Sequence, residues 1–172
     1  NDAVSYGVGI VPATVAKGEK YWKVIKVHHL TPEENRGNHN VFLDMLDEAG
    51  KRVYGAKARV TWPGGQAEVT IDKPASEPGT NFPVWKKQVC DLIALGLPSD
   101  KVTNLHTGHP DEKPGNTLYH HSFLVVFQRT VKPDGEVQRQ SVIQGTVQGG
   151  AGMTLALSSD SQIVSSQVIG QD

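Results

Sequence analysis

The sequence predicts an all-β fold, a β-sandwich of immunoglobulin-like or transthyretin-like type with long polar loops. Short strand-like runs recur at intervals of roughly 8–12 residues, which is typical of such sandwiches. Glycine and proline together supply 28 of the 172 residues, so turns are frequent and long helices few. The chain contains no βαβ pattern and neither a GxGxxG nor a GxxxxGKS/T motif, which excludes nucleotide-binding α/β folds.

Four strands are predicted before residue 72, where short apolar runs alternate with tight turns. They span residues 21–29, 40–47, 53–62 and 66–71. The bend at residues 47–50 separates the second strand from the third, and Pro63-Gly64-Gly65 forms the turn between the third and the fourth. Residues 72–83 contain three prolines and are predicted to form a loop.

Two further strands are predicted on either side of a long polar loop at residues 104–116. In residues 84–95 the apolar residues fit both a helical and a strand spacing, and we interpret the segment as a strand. Residues 119–131 form the strongest predicted strand, because the alternating residues from Phe123 to Phe127 are apolar on both faces. Such a strand is expected at the centre of a sheet.

The composition changes after residues 132–135, where serine, glutamine and glycine become frequent. Three strand-like runs follow, at residues 142–147, 153–157 and 163–169. The chain is therefore divided into an N-terminal extension at residues 1–18, a sandwich domain at 19–131, and a C-terminal β extension or partial second sandwich at 132–172. It begins with neither a methionine nor a signal peptide, so we expect a mature or excised piece of a longer protein.

Composition excludes several classes of partner. With 17 Lys and Arg against 18 Asp and Glu, the chain lacks the basic excess that nucleic-acid binding requires. Its apolar runs fall well short of the roughly 20 residues of a membrane-spanning helix. We therefore expect a soluble protein that neither binds nucleic acid nor inserts into a membrane. The single cysteine, Cys90, can form no disulfide within the chain.

All seven histidines lie in two stretches, residues 28–39 and 106–121, and loops at one end of a sandwich converge. Imidazole with carboxylate suits zinc, and the oxygen donors in the same stretches also admit calcium. The candidate ligands are His39, His106, His109, His121 and Asp111. The simpler alternative is that these side chains fix the loops through hydrogen bonds. Adjacent strand residues point to opposite faces, so at most one histidine of each adjacent pair can face a given site.

No arrangement typical of an enzyme is evident, and we predict a non-catalytic protein. Ser122 lacks the surroundings of an activated serine, and Cys90 lies in an apolar run that offers its thiol no activation. The adjacent carboxylates Glu33-Glu34 and Asp111-Glu112 occur in proline-containing loops, and nothing fixes their separation. Hydrolytic activity is considered only together with the alternative that the histidine-rich loops bind a metal.

Aromatic side chains next to polar loops indicate a second kind of site. Sugar-binding sandwiches stack tryptophan and tyrosine rings on the faces of sugars. Trp62, Trp85 and Tyr119 are the candidates for such contacts. The alternative is burial in the core, which we favour for Trp22 and Trp85.

Four segments between residues 21 and 130 carry a family resemblance, namely VHHLTPEENRGNHNVFLDMLDEAGKRV, DKPASEPGTNFPVWKKQ, PSDKVTNLHTGHPDEKPGNT and YHHSFLVVFQR. They resemble a β-sandwich module of bacterial extracellular and cell-surface proteins, similar to modules that accompany lysozyme-like glycoside hydrolases. The resemblance implies an accessory, non-catalytic role and an exported location. It implies no particular ligand and no catalytic residue.

The tail SVIQGTVQGGAGMTLALSSDSQIVSSQVIGQD resembles the opening of a carboxypeptidase-regulatory-like sandwich. A partial sandwich would leave unpaired strand edges, which can pair with neighbouring domains or with identical subunits. Residues 1–18 can supply such an edge within or between molecules.

The leading functional prediction is a non-catalytic extracellular module. It would attach to cell-wall or other polysaccharide, or act as a structural spacer in a larger surface protein. One alternative is a subunit of an extracellular filament joined by strand exchange. Another is a metal-binding domain built on the histidine-rich loops.

Overall fold

The structure is a computed structural model that describes residues 1–133 and two later strands, Thr154–Ser159 and Gln162–Val168. The chain forms two compact units, Asn1–Glu136 and Val137–Asp172. Within the described ranges, no helix combines the length and the apolar character needed to cross a membrane. The predicted run at residues 142–147 lies outside the described residues.

The first unit is an all-β sandwich of two packed sheets, which confirms the predicted fold class. Its strands are β1 Gly9–Val11, β2 Lys20–His29, β3 Asn40–Leu46, β4 Lys57–Trp62, β5 Gly65–Thr70, β6 Thr80–Pro83, β7 Val89–Ala94, β8 Lys101–His106 and β9 Phe123–Val131. One sheet has the order β1-β8-β7-β4-β5 and the other the order β2-β9-β3-β6. Two short helices accompany the strands, a 3-10 helix at Val4–Tyr6 and α1 at Pro32–Asn35.

Strand β9 lies inside the second sheet, which confirms the position predicted from its apolar faces. It pairs antiparallel with β2 and parallel with β3. Phe123, Val125 and Phe127 are fully buried and join a core that includes Leu43 of the same sheet and Leu92 of the other. Burial of each such side chain contributes about 1.5–3 kcal/mol to folding.

The strand predicted at residues 84–95 is shorter in the structure because its first part forms a turn. The Gln88 amide donates to the Trp85 carbonyl at 3.0 Å, and the Trp85 amide donates to the Gln88 side chain at 3.0 Å. Lys87 between them is left-handed, with φ of 65°. Strand β7 therefore begins only at Val89.

Two short strands lie wholly or partly in segments predicted to be loops. Strand β6 occupies the end of residues 72–83, and β8 extends into residues 104–116. In β8 the buried Val102 and Leu105 are three residues apart, because a bulge around Asn104, with φ of 64°, interrupts the alternation. The period of two that signals a strand is consequently lost there.

Residues 1–18, set apart in the sequence as an extension, contribute to the first unit. Strand β1 pairs antiparallel with β8, and Ala3 and Val8 are buried in the core. One edge of this segment is thus paired within the chain, and β1 forms the end of its sheet.

The second unit contains β10, Thr154–Ser159, and β11, Gln162–Val168. They pair antiparallel, with a register shift after Leu157. These strands overlap the predicted runs at residues 153–157 and 163–169.

The two histidine stretches meet at one end of the sandwich, which we name the histidine end. Residues 30–39 connect β2 to β3, and residues 107–122 cross from β8 of one sheet to β9 of the other. Gly115 of the second loop lies directly against the Pro32 backbone of the first. Only a residue without a side chain fits at this contact.

We expect Gly115→Ala to destabilise the protein. A Cβ at this position would overlap the Pro32 carbonyl oxygen, so one of the two loops would have to shift. Overpacking of this kind costs about 1–3 kcal/mol of the free energy of unfolding. Urea denaturation measures the loss of stability. Glu33→Ala, which shortens an exposed side chain in the same region, is the control. An unchanged unfolding midpoint for Gly115→Ala would contradict the close contact of the loops.

Candidate functional site

Three histidines, one carboxylate and one phenol form a largely buried cluster at the histidine end, which we name the histidine cluster. Its members are Tyr6, His29, His109, Glu112 and His121. His29 Nε2 lies 2.9 Å from His121 Nδ1, and the Tyr6 hydroxyl donates a hydrogen bond to Glu112 Oε1. The Tyr6 ring stacks on His29 with centroids 3.6 Å apart, and His109 meets His121 edge-on at 5.2 Å.

Strand alternation decides which histidine of the pair at the end of β2 enters the cluster. His29 is buried, whereas His28 lies on the other face and contacts Asp2 at 2.6 Å and Glu34 at 2.9 Å. Asp2 also accepts a hydrogen bond from the His29 amide at 2.9 Å. This contact holds the N-terminal segment, and with it Tyr6, beside the cluster.

Two buried asparagines position Glu112. Asn116 donates to Glu112 Oε2 at 3.0 Å, and the backbones of these two residues exchange two hydrogen bonds. Asn35 donates to Asn116 Oδ1 at 2.8 Å and to the His120 carbonyl at 2.6 Å. Glu112 therefore keeps one carboxylate oxygen on Tyr6 and the other on Asn116.

Burial favours the neutral form of the three imidazoles in the cluster. It lowers the pKa of His29 to about 4, although the charge of Glu112 opposes the shift. Burial also lowers the pKa values of His109 and His121. Burial alone would raise the pKa of Glu112, but hydrogen bonds, the largest from Tyr6, bring it below its usual value. The cluster thus presents neutral imidazole and ionised carboxylate, the forms in which these groups bind metals.

Three members of the cluster could hold a metal ion. Donor atoms of His29, Glu112 and His121 all lie within 4.8 Å of one another. His121 Nε2 is buried without a hydrogen-bond partner. The Pro110 carbonyl opposes the lowering of the His121 pKa, but burial outweighs it. Among the described residues, the cluster therefore contains a buried ring nitrogen that makes no hydrogen bond.

The structure places the predicted metal ligands in different surroundings. His121 and His109 belong to the histidine cluster, and His106 packs against His109 with centroids 4.4 Å apart. His39 lies outside it, with Nδ1 3.0 Å from the Val84 carbonyl. Asp111 also lies outside the cluster and makes a structural contact, because its side chain accepts a hydrogen bond from the Leu118 amide.

His29, Glu112 and Tyr6 were missing from the predicted ligands. Alternation along β2 can distinguish His29 from His28, and the expected convergence of the two histidine stretches brings Glu112, 83 positions later, to the same end, but neither signal selects Glu112 over the other acidic residues there. Tyr6 lies in a segment that the sequence separates from the sandwich domain. These three residues meet only through tertiary packing.

A second feature of the histidine end is an open groove, which we name the tryptophan groove. It is lined by Trp62, Pro63, Trp85, Lys86, Lys87 and Gln88 and has a volume of about 320 Å³. Trp85 is 62% exposed, so the expectation of core burial was wrong for this residue. Val84 takes the buried position, and the turn that follows directs Trp85 outwards. Trp22 is 4% exposed, and for it the expectation is confirmed.

The three aromatic candidates for sugar contacts lie around this groove. Trp62 packs against Phe82 with centroids 5.4 Å apart, and its ring covers Gly65, where a Cβ would come within 2.7 Å of it. Tyr119 borders an adjoining pocket that also contains Trp85. The Lys86 ammonium lies 4.9 Å from the centroid of the Tyr119 ring and covers one of its faces.

No known protein family, curated protein or solved structure matches this chain. The resemblance to bacterial accessory modules therefore stays a prediction. The two candidate sites are defined by their geometry and chemistry.

In the metal-free protein, we expect the free energy of unfolding to fall as the pH decreases from about 6.5 towards 4. The unfolded chain takes up protons near the ordinary histidine pKa of 6.5, whereas folded His29, with a pKa of about 4, does not. Urea denaturation with a chelator at several pH values in this range measures the slope. The variant His29→Gln should flatten it. Equal slopes for the wild type and His29→Gln would contradict the assignment.

Proposed function

We propose that the protein is a non-catalytic extracellular module that attaches to glycan through the tryptophan groove. The observation that supports this proposal best is the 62% exposure of Trp85 in a groove that it shares with Trp62. Both tryptophans are at the same end of the sandwich, Trp62 as the last residue of β4 and Trp85 in the turn before β7. Loops held by a rigid scaffold are the usual location of binding residues.

The chemistry of the groove suits sugars. The apolar face of a sugar ring packs on an indole, and polar side chains around it bind the hydroxyl groups. Gln88, Lys86 and Lys87 supply hydrogen-bonding groups beside Trp85. Trp62 is held by its contacts with Phe82 and Gly65, so little conformational entropy is lost when a ligand binds to it.

We expect Trp85→Ala to abolish retention on glycan while leaving the fold intact. Loss of a stacking aromatic removes most of the apolar contact, whereas an exposed side chain contributes little to stability. Pull-down on insoluble peptidoglycan and a glycan array measure retention, and a thermal melt checks folding. Tyr54→Ala, which removes another exposed ring, 57% exposed and outside the groove, is the matched control. Retention of Trp85→Ala equal to that of the wild type would contradict the proposal.

A second function is favoured by the histidine cluster, and we infer that it binds a divalent transition metal, with zinc as the leading candidate. Two imidazoles and one carboxylate form a donor set typical of zinc, whereas calcium takes six to eight oxygen ligands. Burial and the hydrogen bond to Glu112 raise the pKa of Tyr6 to about 12, so the phenol stays protonated and acts as a hydrogen-bond donor. Tyr6 would then orient Glu112 rather than bind the metal itself.

We expect protein purified without nickel resin to contain about one zinc ion per chain and to melt at a lower temperature with a chelator. Glu112→Gln should lose most of the zinc and most of the chelator effect, since the amide keeps the shape but not the charge. His39→Gln, which changes a histidine outside the cluster, should retain both. Elemental analysis and thermal melts measure these effects. A metal-free wild type with a chelator-insensitive melt, even after incubation with zinc, would contradict metal binding.

A further inference from the structure

The tryptophan groove is positively charged where it surrounds Trp85. Its lining includes Lys86 and Lys87, and Lys86 also lines the adjoining pocket. Among the described residues that line these two pockets, none is an aspartate or a glutamate. The chain as a whole has a net charge of −1, so this concentration of cations is local.

A neighbouring pocket contains one carboxylate, and it is already paired. Asp91 lines this pocket together with Trp62, contacts the Lys101 ammonium at 3.0 Å and accepts a hydrogen bond from the Asn104 amide. Its charge is thus compensated locally. The lysines beside Trp85 make no ion pair with a carboxylate among the described residues, and they remain available to an anion.

The backbone at Lys87 adds a second, independent observation. Lys87 has φ of 65°, in the left-handed region that favours glycine and asparagine, and a lysine there costs stability. The turn from Trp85 to Gln88 fixes this conformation through its 3.0 Å hydrogen bonds. Backbone strain at an exposed residue in a candidate binding loop points to a role for its side chain.

The position of the Lys86 ammonium is held by contact with one aromatic ring. It lies 4.9 Å from the centroid of the Tyr119 ring, and Tyr119 and Trp85 line the same pocket. Contact with an aromatic face holds an ammonium without neutralising its charge. A sugar stacked on Trp85 would therefore have a fixed cation at its edge.

We propose that the tryptophan groove recognises acidic saccharides, in which a carboxylate on the sugar ring binds Lys86 and Lys87 while the ring stacks on Trp85. This proposal rests on the proposed glycan-binding function and specifies its ligand class.

The test compares two polymers with the same backbone, polygalacturonate and its fully methyl-esterified form. We expect the full chain to bind the acidic polymer more tightly and to lose that preference as sodium chloride is raised, because salt screens the ion pairs. Lys86→Gln and Lys87→Gly should each weaken binding to polygalacturonate about two- to fivefold. Lys51→Gln, which removes an exposed lysine outside the groove, is the control for overall charge.

Lys87→Gly separates binding from stability. Glycine relieves the left-handed strain, so this variant should unfold at the same or a higher temperature than the wild type while binding the acidic polymer less tightly. Equal binding of both polymers without salt dependence, together with loss of binding in Trp85→Ala, would overturn the acidic-saccharide proposal and leave glycan binding in place. Failure to bind polygalacturonate, alginate and hyaluronate would overturn it as well. Binding that Trp85→Ala leaves unchanged would contradict the proposed function itself.

Discussion

The pairing of β9 with two neighbours at once determines where the histidine cluster lies and brings His120 to the pocket beside Trp85. Phe123, its first residue, is opposite His29 at the end of β2 and opposite Val41 at the start of β3. The residues just before β9 are thereby brought next to both flanking strands. His121 meets His29, and His120 lies across from His39, with ring centroids 6.0 Å apart. A one-residue slip of β9 would exchange the two faces and separate both contacts.

Adjacent residues at the histidine end consequently lie in opposite environments, one buried and the other exposed. His121 is fully buried in the histidine cluster, while His120 is exposed and borders the pocket beside Trp85. The same division separates His29 from His28. Burial of several imidazoles is tolerated because they stay neutral. The buried asparagines hold the carboxylate of Glu112 in place beside them. The histidine cluster and the pocket beside Trp85 can therefore differ in exposure although one loop, residues 107–122, contributes to both.

Sequence patterns predicted the fold class and the strands with regular alternation, and the reasons for the failures are local. Strand β9 was predictable because both of its faces are apolar, whereas β8 was hidden by the bulge at Asn104. Trp85 has the spacing of a core residue, but a turn closed by Gln88 directs it outwards. Strand alternation predicted that only one histidine of each adjacent pair could face a given site. It could not predict that Glu112 and Tyr6 complete the cluster, because those contacts join segments distant in the sequence.

The chain's three tryptophans allow a direct test of the central claim that the groove at the histidine end binds glycan. Trp62 and Trp85 line the groove, whereas Trp22 is buried and donates its indole hydrogen to the Leu95 carbonyl at 3.1 Å. In an NMR titration with soluble peptidoglycan fragments and galacturonate oligomers, the indole signals report each tryptophan separately. If the groove binds glycan, the Trp62 and Trp85 signals shift with saturation while the Trp22 signal stays in place. Indole signals that do not respond to either ligand, or that all shift together, would contradict it.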